Sequence, residues 1–137
     1  MAIAVFLAPQ LTLNSVDLSD HVRSLTLDYN AKMVEATAGG ASTIANLAGL
    51  LDWKMDIEFN QDYATGKVDA TLFPLVGAAA FAVLFRPTTA VRGTANPEFT
   101  GTGVASSYPP ISGKIGDMNT TKATIVCATA LARLATP

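Results

Sequence analysis

Charge is scarce in this chain. Only 15% of its 137 residues are Asp, Glu, Lys or Arg, against roughly 25% in an ordinary globular domain. Histidine and cysteine occur once each, as His21 and Cys127. A single cysteine excludes an internal disulfide, so packing alone holds the fold, and synthesis in a reducing cytoplasm fits. One histidine and one cysteine do not make a zinc cluster. The formal net charge of −2 leaves no global basic footprint for nucleic acid. Lysines and arginines are scattered singly, with no run that would attract a membrane surface. Long apolar runs are missing too: Leu75–Phe85 is interrupted by Gly77 and is about half the length needed to cross a bilayer. Met1–Pro9 is apolar, but it is short for a secretory signal and lacks a positive start. Residues 1–10 therefore read as an N-terminal arm or first strand with an unprocessed start.

Half of the residues are hydrophobic, enough for one core in a single domain spanning residues 1–137. A lone copy with so few charges would expose much uncharged surface. Coverage of that surface by neighbouring subunits is the simplest physical explanation.

Strand patterns dominate. Leu11-Thr12-Leu13 alternates and is followed by an Asn14-Ser15 turn. In Val22–Asn30, Leu25, Leu27 and Tyr29 share one face, and Ser24, Thr26 and Asp28 the other. The strongest period-2 segment follows Asp52: Trp53, Met55, Ile57 and Phe59 alternate with Lys54, Asp56, Glu58 and Asn60. Phe81, Val83 and Phe85 make another strand, stopped at Arg86-Pro87 by the missing proline donor. Glu98–Gly103 reads as a short edge strand, Ile111–Met118 as a glycine-interrupted strand with a bulge, and Thr121–Cys127 as the last strand. One helix of about two turns is expected over Asp69–Val76, with Thr71 as N-cap and Pro74 in its first turn. Leu72, Phe73, Leu75 and Val76 would cover one end of the sheet. Two long connectors, Ala36–Leu47 and Pro87–Pro110, are rich in small and polar residues. The sum is a mainly β protein: a β-sandwich or partly closed barrel of seven or eight strands with one short α-helix, and Trp53, Phe59 and Phe81 in the core.

No constellation carries catalysis. Asp17, Ser19 and His21 are near neighbours in sequence and would point to different faces of an extended segment. His21 reads as a hydrogen-bonded surface or edge residue, and Cys127 as a small buried apolar side chain. Asp17 and Asp20 lack the calcium-loop spacing and read as turn stabilisers. Gly39-Gly40 is not followed by Lys-Ser or Lys-Thr, and Gly101-Thr102-Gly103 lacks a third glycine and a helix. No catalytic residue, cofactor or metal ligand is expected, and the chain reads as a non-enzyme. The face bearing Lys54, Asp56 and Glu58 has two readings. It is either an ordinary solvated outer face or the hydrophilic lining of a channel, along which a polyanion would slide rather than stick.

Val16-Asp17-Leu18-Ser19-Asp20-His21-Val22-Arg23-Ser24-Leu25-Thr26-Leu27 resembles the opening of the tail tube (major tail) proteins of long-tailed bacteriophages. So does the sequel: Glu35 and Thr37 before a Gly/Ser/Thr loop, Gly49-Leu50-Leu51-Asp52-Trp53 opening a long strand, then Asp62-Tyr63 and the short helix. Asn96-Pro97-Glu98-Phe99-Thr100-Gly101 and Pro109-Pro110-Ile111-Ser112-Gly113 are similar to later strand pairs of such proteins. The likeness spans about residues 10–127 and rests on order and spacing. It implies a virion subunit, assembled in the host cytoplasm, that forms hexameric rings stacked into a tube for DNA. Its partners would be its own copies, other phage structural proteins and transiently passing DNA, with no membrane. Carried onto this chain, Ala36–Leu47 matches the loop that reaches the adjacent ring, with Thr37, Gly39, Gly40, Thr43 and Ile44 as contact residues. Lys54, Asp56 and Glu58 would then face the lumen. A capsid cement or decoration protein, commonly trimeric with its N-terminal arm along the shell, is the alternative. A ligand-binding β-barrel, stable as a monomer, is a third reading.

Overall fold

The structure, a computed structural model, describes residues 9–136. Residues 1–8, most of the expected arm, lie outside the described residues, and Gln10 already belongs to the first strand. The elements are β1 (Gln10–Leu13), β2 (Val16–Asp17), β3 (Val22–Glu35), β4 (Asn46–Asn60), α1 (Val68–Leu72), β5 (Phe81–Arg86), β6 (Glu98–Ser107), β7 (Thr120–Cys127) and β8 (Ala132–Leu134). The mainly β composition, the strand number and the single short α-helix are as the patterns predict. The strands form one antiparallel sheet in the order β2-β1-β5-β6-β7-β4-β3, with β8 beside β6. It does not close into a barrel. Even so, side chains from β1 and β5 share one buried cluster with those of β4 and β7.

The inward alternation of β4 is the spine of that core. Trp53, Met55, Ile57 and Phe59 are buried, while Lys54, Asp56, Glu58 and Asn60 stay at the surface or half-buried. Burial of each large side chain contributes about 1.5–3 kcal/mol. Leu11, Leu13, Phe81, Val83, Phe85 and Ile125 meet them from the other strands. The indole N–H of Trp53 is satisfied inside by the Thr129 carbonyl at 2.8 Å. Asn14 and Ser15, with φ of 50° and 67°, make the expected turn between β1 and β2. Two successive left-handed residues match the twist of a tight hairpin.

Four expectations are corrected. The helix begins at Val68, and Thr71 lies buried within it instead of capping it. The Asp62 carbonyl accepts the Asp69 N–H at 3.1 Å, so main chain supplies the partner a cap would give. Pro74 sits at the start of a following 3-10 turn, Phe73–Leu75. Leu72 and Leu75 cover the sheet, whereas Phe73 and Val76 remain exposed. Secondly, Glu98–Gly103 is not an edge: it opens the ten-residue β6, which pairs with β5 on one side and with β7 and then β8 on the other. Thirdly, β8 is an additional strand that continues along β6 beyond the last β7 residue. Finally, Ile111–Met118 is a loop. Pro109 and Pro110 remove two ladder donors before it, and Gly116 takes a left-handed φ of 93° within it.

Candidate assembly surface

The β3–β4 hairpin reaches beyond the rest of the sheet. Its strands, 14 and 15 residues long, pair from Val22↔Phe59 to Glu35↔Asn46. On its other side β4 is supported by β7 only from Lys54 to Asn60. From Asp52 outward the hairpin is therefore a two-stranded ribbon with both edges unpaired among the described residues. It is also apolar. Tyr29 and Leu51 carry the core-side face past Trp53, and Val34 stands opposite Leu47 further out. All four are at least half exposed, and Leu50 is 82% exposed. Residues 36–51 include no charged side chain. An isolated ribbon is marginal in water, and long apolar edges invite pairing with another chain.

The residues assigned to subunit contacts come together at the tip of this hairpin. The Thr37 hydroxyl accepts the Ala45 N–H at 2.9 Å, and the Ala36 N–H reaches the Ala45 carbonyl at 2.8 Å, closing the loop at its base. Gly39 and Gly40 form the turn. Thr43 and Ile44 follow on the exposed returning side, where Ile44 is 66% exposed. The exposed stem residues Tyr29, Val34, Leu47 and Leu51 are missed by alternation, which shows facing but not how far a neighbouring strand extends. The uncharged run from Ala36 to Leu51 is the sequence signal that marks them.

Lys54, Asp56 and Glu58 lie together on the outer face of β4. Across the ladders, Lys54 stands opposite Asp28, and Glu58 opposite Lys122. Arg23 approaches Glu58, and Lys54 approaches Asp56, each at 3.6 Å. The Thr124 hydroxyl donates to Asp56 at 2.8 Å. The face is thus polar with interleaved signs rather than an acidic lining. Such exposed pairs are worth little each, but together they leave no net field of one sign.

At the root of the hairpin a hollow of about 260 Å³ is lined by Tyr29, Leu51, Trp53, Cys127 and Leu131. Cys127 is not buried as expected: it is partly exposed at this rim, with Sγ 2.9 Å from Asp52 Oδ1. His21 behaves as a hydrogen-bonded residue, its Nε2 lying 2.9 Å from Asp62 Oδ2. The Ala64 N–H, and then the His21 ring, hold the Asp62 carboxyl below the usual range. Asp17 serves a turn, accepting the Ser19 N–H at 2.9 Å. The Ser19 hydroxyl, foremost, lowers its pKa. Among the described residues no group of three His, Cys, Asp or Glu side chains is placed to hold a metal, and no helix is long and apolar enough to cross a membrane.

At the opposite end of β4, the loop after β6 is fastened to the body by side chains. The Tyr63 hydroxyl and Gln61 Nε2 donate to the Pro110 carbonyl at 2.8 and 2.9 Å. The Thr121 hydroxyl donates to the Pro109 carbonyl at 2.6 Å. Tyr108 donates to Asp69 at 2.7 Å and accepts from Gln61 at 2.9 Å. Burial first, and then the bond to Asp69, pushes the Tyr108 phenol up to about 12. A raised phenol pKa stabilises the fold through its neutral form. That contribution is full below the unfolded value of about 10 and is lost as pH rises through about 12. Tyr108→Phe should accordingly remove the most alkaline step of a phenolate absorbance titration and flatten the loss of stability between those pH values. An unchanged titration would contradict this geometry.

This antiparallel sheet with one short helix is a fold that chains of known structure share. The fold matches a chain from the virion of the native gene transfer agent particle with a TM-score of 0.77 and 13% identity, over 97% of this chain and 100% of that one. It also matches a chain from the tail of the empty gene transfer agent particle, determined with C6 symmetry (TM-score 0.72, 16% identity, 94% and 96% covered). The SPP1 Dit protein, a hub of the adsorption apparatus in phages infecting Gram-positive hosts, is similar over 90% of this chain and 50% of its own (TM-score 0.51, 12% identity). No family model and no curated protein matches the sequence.

Proposed function

We propose that this chain is a non-enzymatic virion subunit that assembles into six-membered rings, and that the rings stack into a tail tube through which DNA passes. The observation that carries this reading is the β3–β4 hairpin: a ribbon with apolar side chains and unpaired edges is incomplete in a lone subunit. The tail chain of the gene transfer agent particle, with its C6 symmetry, supports the ring size. The face bearing Lys54, Asp56 and Glu58 lines the lumen. Its mixed signs, with Arg23 and Lys122 beside Glu58, give passing polyanion neither a basic trap nor a strong barrier. Ring contacts are made by Thr37, Gly39, Gly40, Thr43 and Ile44 at the hairpin tip. Partners are further copies of the chain and other structural proteins of the particle.

Negative-stain images of the concentrated purified protein test this directly. Tubes with six-fold end views are the expected result. Single subunits at every concentration would overturn the reading, and binding to three-fold sites of a capsid lattice would replace it with a decoration role.

A further inference from the structure

The hollow at the root of the hairpin is lined mainly by apolar side chains. Trp53 is buried there, whereas Tyr29 and Leu51 are 54% and 60% exposed. Its volume of about 260 Å³ is several times one water's share of about 30 Å³, and a packed interior keeps few voids of that size. We propose that Met1–Ala8 of the same chain folds back over this hollow and seats Ile3 and Val5 in it, bracing the hairpin at its root.

Place, length, facing and chemistry select this segment as the occupant. The ladders bring both to the same end of the sheet. Gln10 pairs with Arg86, Phe85 with Phe99, Gly103 with Cys127 and Lys54 with Val126. The chain therefore enters β1 at the end where Trp53 and Cys127 lie and where the ribbon begins. Three strand spacings, roughly 14 Å along the sheet, separate β1 from β7, and four, roughly 19 Å, separate it from β4. An extended chain carries Val5 roughly 14 Å from Pro9 and Ile3 roughly 21 Å. Pro9, Leu11 and Leu13 are buried, and Gln10 and Thr12 only half-buried. Pro9 also disfavours helical backbone at the residue before it. The alternation of β1 therefore runs on upstream and turns Leu7, Val5 and Ile3 to the core side, with Phe6 and the alanines opposite. Residues 1–8 carry no charged or polar side chain, so burying them leaves no side-chain polar group unsatisfied. Tethering favours the segment's own hollow over that of another copy, because a short tether gives an effective concentration on the order of mM. Seating even one large apolar side chain favours the closed form by about tenfold or more.

Val5→Cys in the full chain tests the seat, with the native Cys127 at the rim as its partner. Oxidised glutathione should join the two thiols within one chain, giving a faster-migrating monomer on a non-reducing gel. The reaction should run about tenfold faster than in Ala4→Cys, whose side chain the alternation turns away. Covalent dimers would assign the seat to the segment of a second copy. Equal rates at the two positions would reflect chance encounter. Either result, or no disulfide at all, would overturn the proposal. A second measurement needs no added cysteine. Removing residues 2–8 should raise the rate at which Ellman's reagent modifies Cys127 by about tenfold and shift the emission of Trp53, the one tryptophan, to the red. Unchanged reactivity in a folded, shortened chain would also overturn the proposal; if the shortened chain unfolds, the disulfide rates decide alone. Neither readout depends on whether tubes form.

Discussion

Deleting Gly39–Thr43 is expected to leave a folded subunit that no longer polymerises. The tip makes no contribution to the core: every residue from Leu47 back to Ala36 is exposed. The deletion also spares the closure of the hairpin. The Ala36–Ala45 backbone bond and the Thr37–Ala45 bond lie outside the removed segment, and Thr37, Ala38 and Ile44 remain as a three-residue connection. The melting temperature should therefore move by no more than about 2 °C, as for surface changes generally. Assembly should respond very differently. Loss of about 1 kcal/mol per contact, repeated over a ring, lowers a ring–ring association constant by about four orders of magnitude. Sedimentation velocity and negative stain read the assembly, and thermal melting followed by circular dichroism reads the fold. Normal tubes from the shortened chain would show that the tip is dispensable.

How much of this was legible from sequence depends on where the determining contact lies. Local signals worked. The alternation from Trp53 to Phe59 placed one face of β4 in the core, Asn14-Ser15 marked a turn that needs two left-handed residues, and Arg86-Pro87 ended β5. Distant contacts were not legible. Gly101 and Gly103 weaken a strand by propensity, so Glu98–Gly103 looks peripheral, yet it is the middle of the sheet. Ile111–Met118 reads as a glycine-interrupted strand, because a sequence does not distinguish apolar side chains bound for a sheet from those left on a loop. The residues assigned to assembly lie side by side at the tip because one loop carries them all. The exposed stem was missed because its exposure depends on where β7 stops.

The glycines that obscured β6 carry the largest expected effect on stability. A Cβ added at Gly103 would stand 2.7 Å from Ile125 Cγ2, 2.8 Å from the Val126 carbonyl and 3.0 Å from Trp53 Cη2. Two of these neighbours are packed core side chains and the third is backbone, so none swings away cheaply. Trp53 is further pinned by its bond to the Thr129 carbonyl. Gly103→Ala should destabilise by about 1–3 kcal/mol through overpacking. Gly103→Val adds two more heavy atoms at the same place and should cost at least about 3 kcal/mol, lowering the melting temperature by about 10 °C or more. Gly39 is the control, since an added Cβ there meets nothing within 4 Å. Gly39→Ala should melt with the wild type, although it lies in the loop assigned to assembly. The two glycines therefore separate the properties: a change at Gly103 acts on the fold and reaches the tube only through it, whereas the fold is indifferent to Gly39. Equal melting of Gly103→Val and wild type would mean that β6 does not pass against Trp53 as described, and the central position of that strand would fall with it.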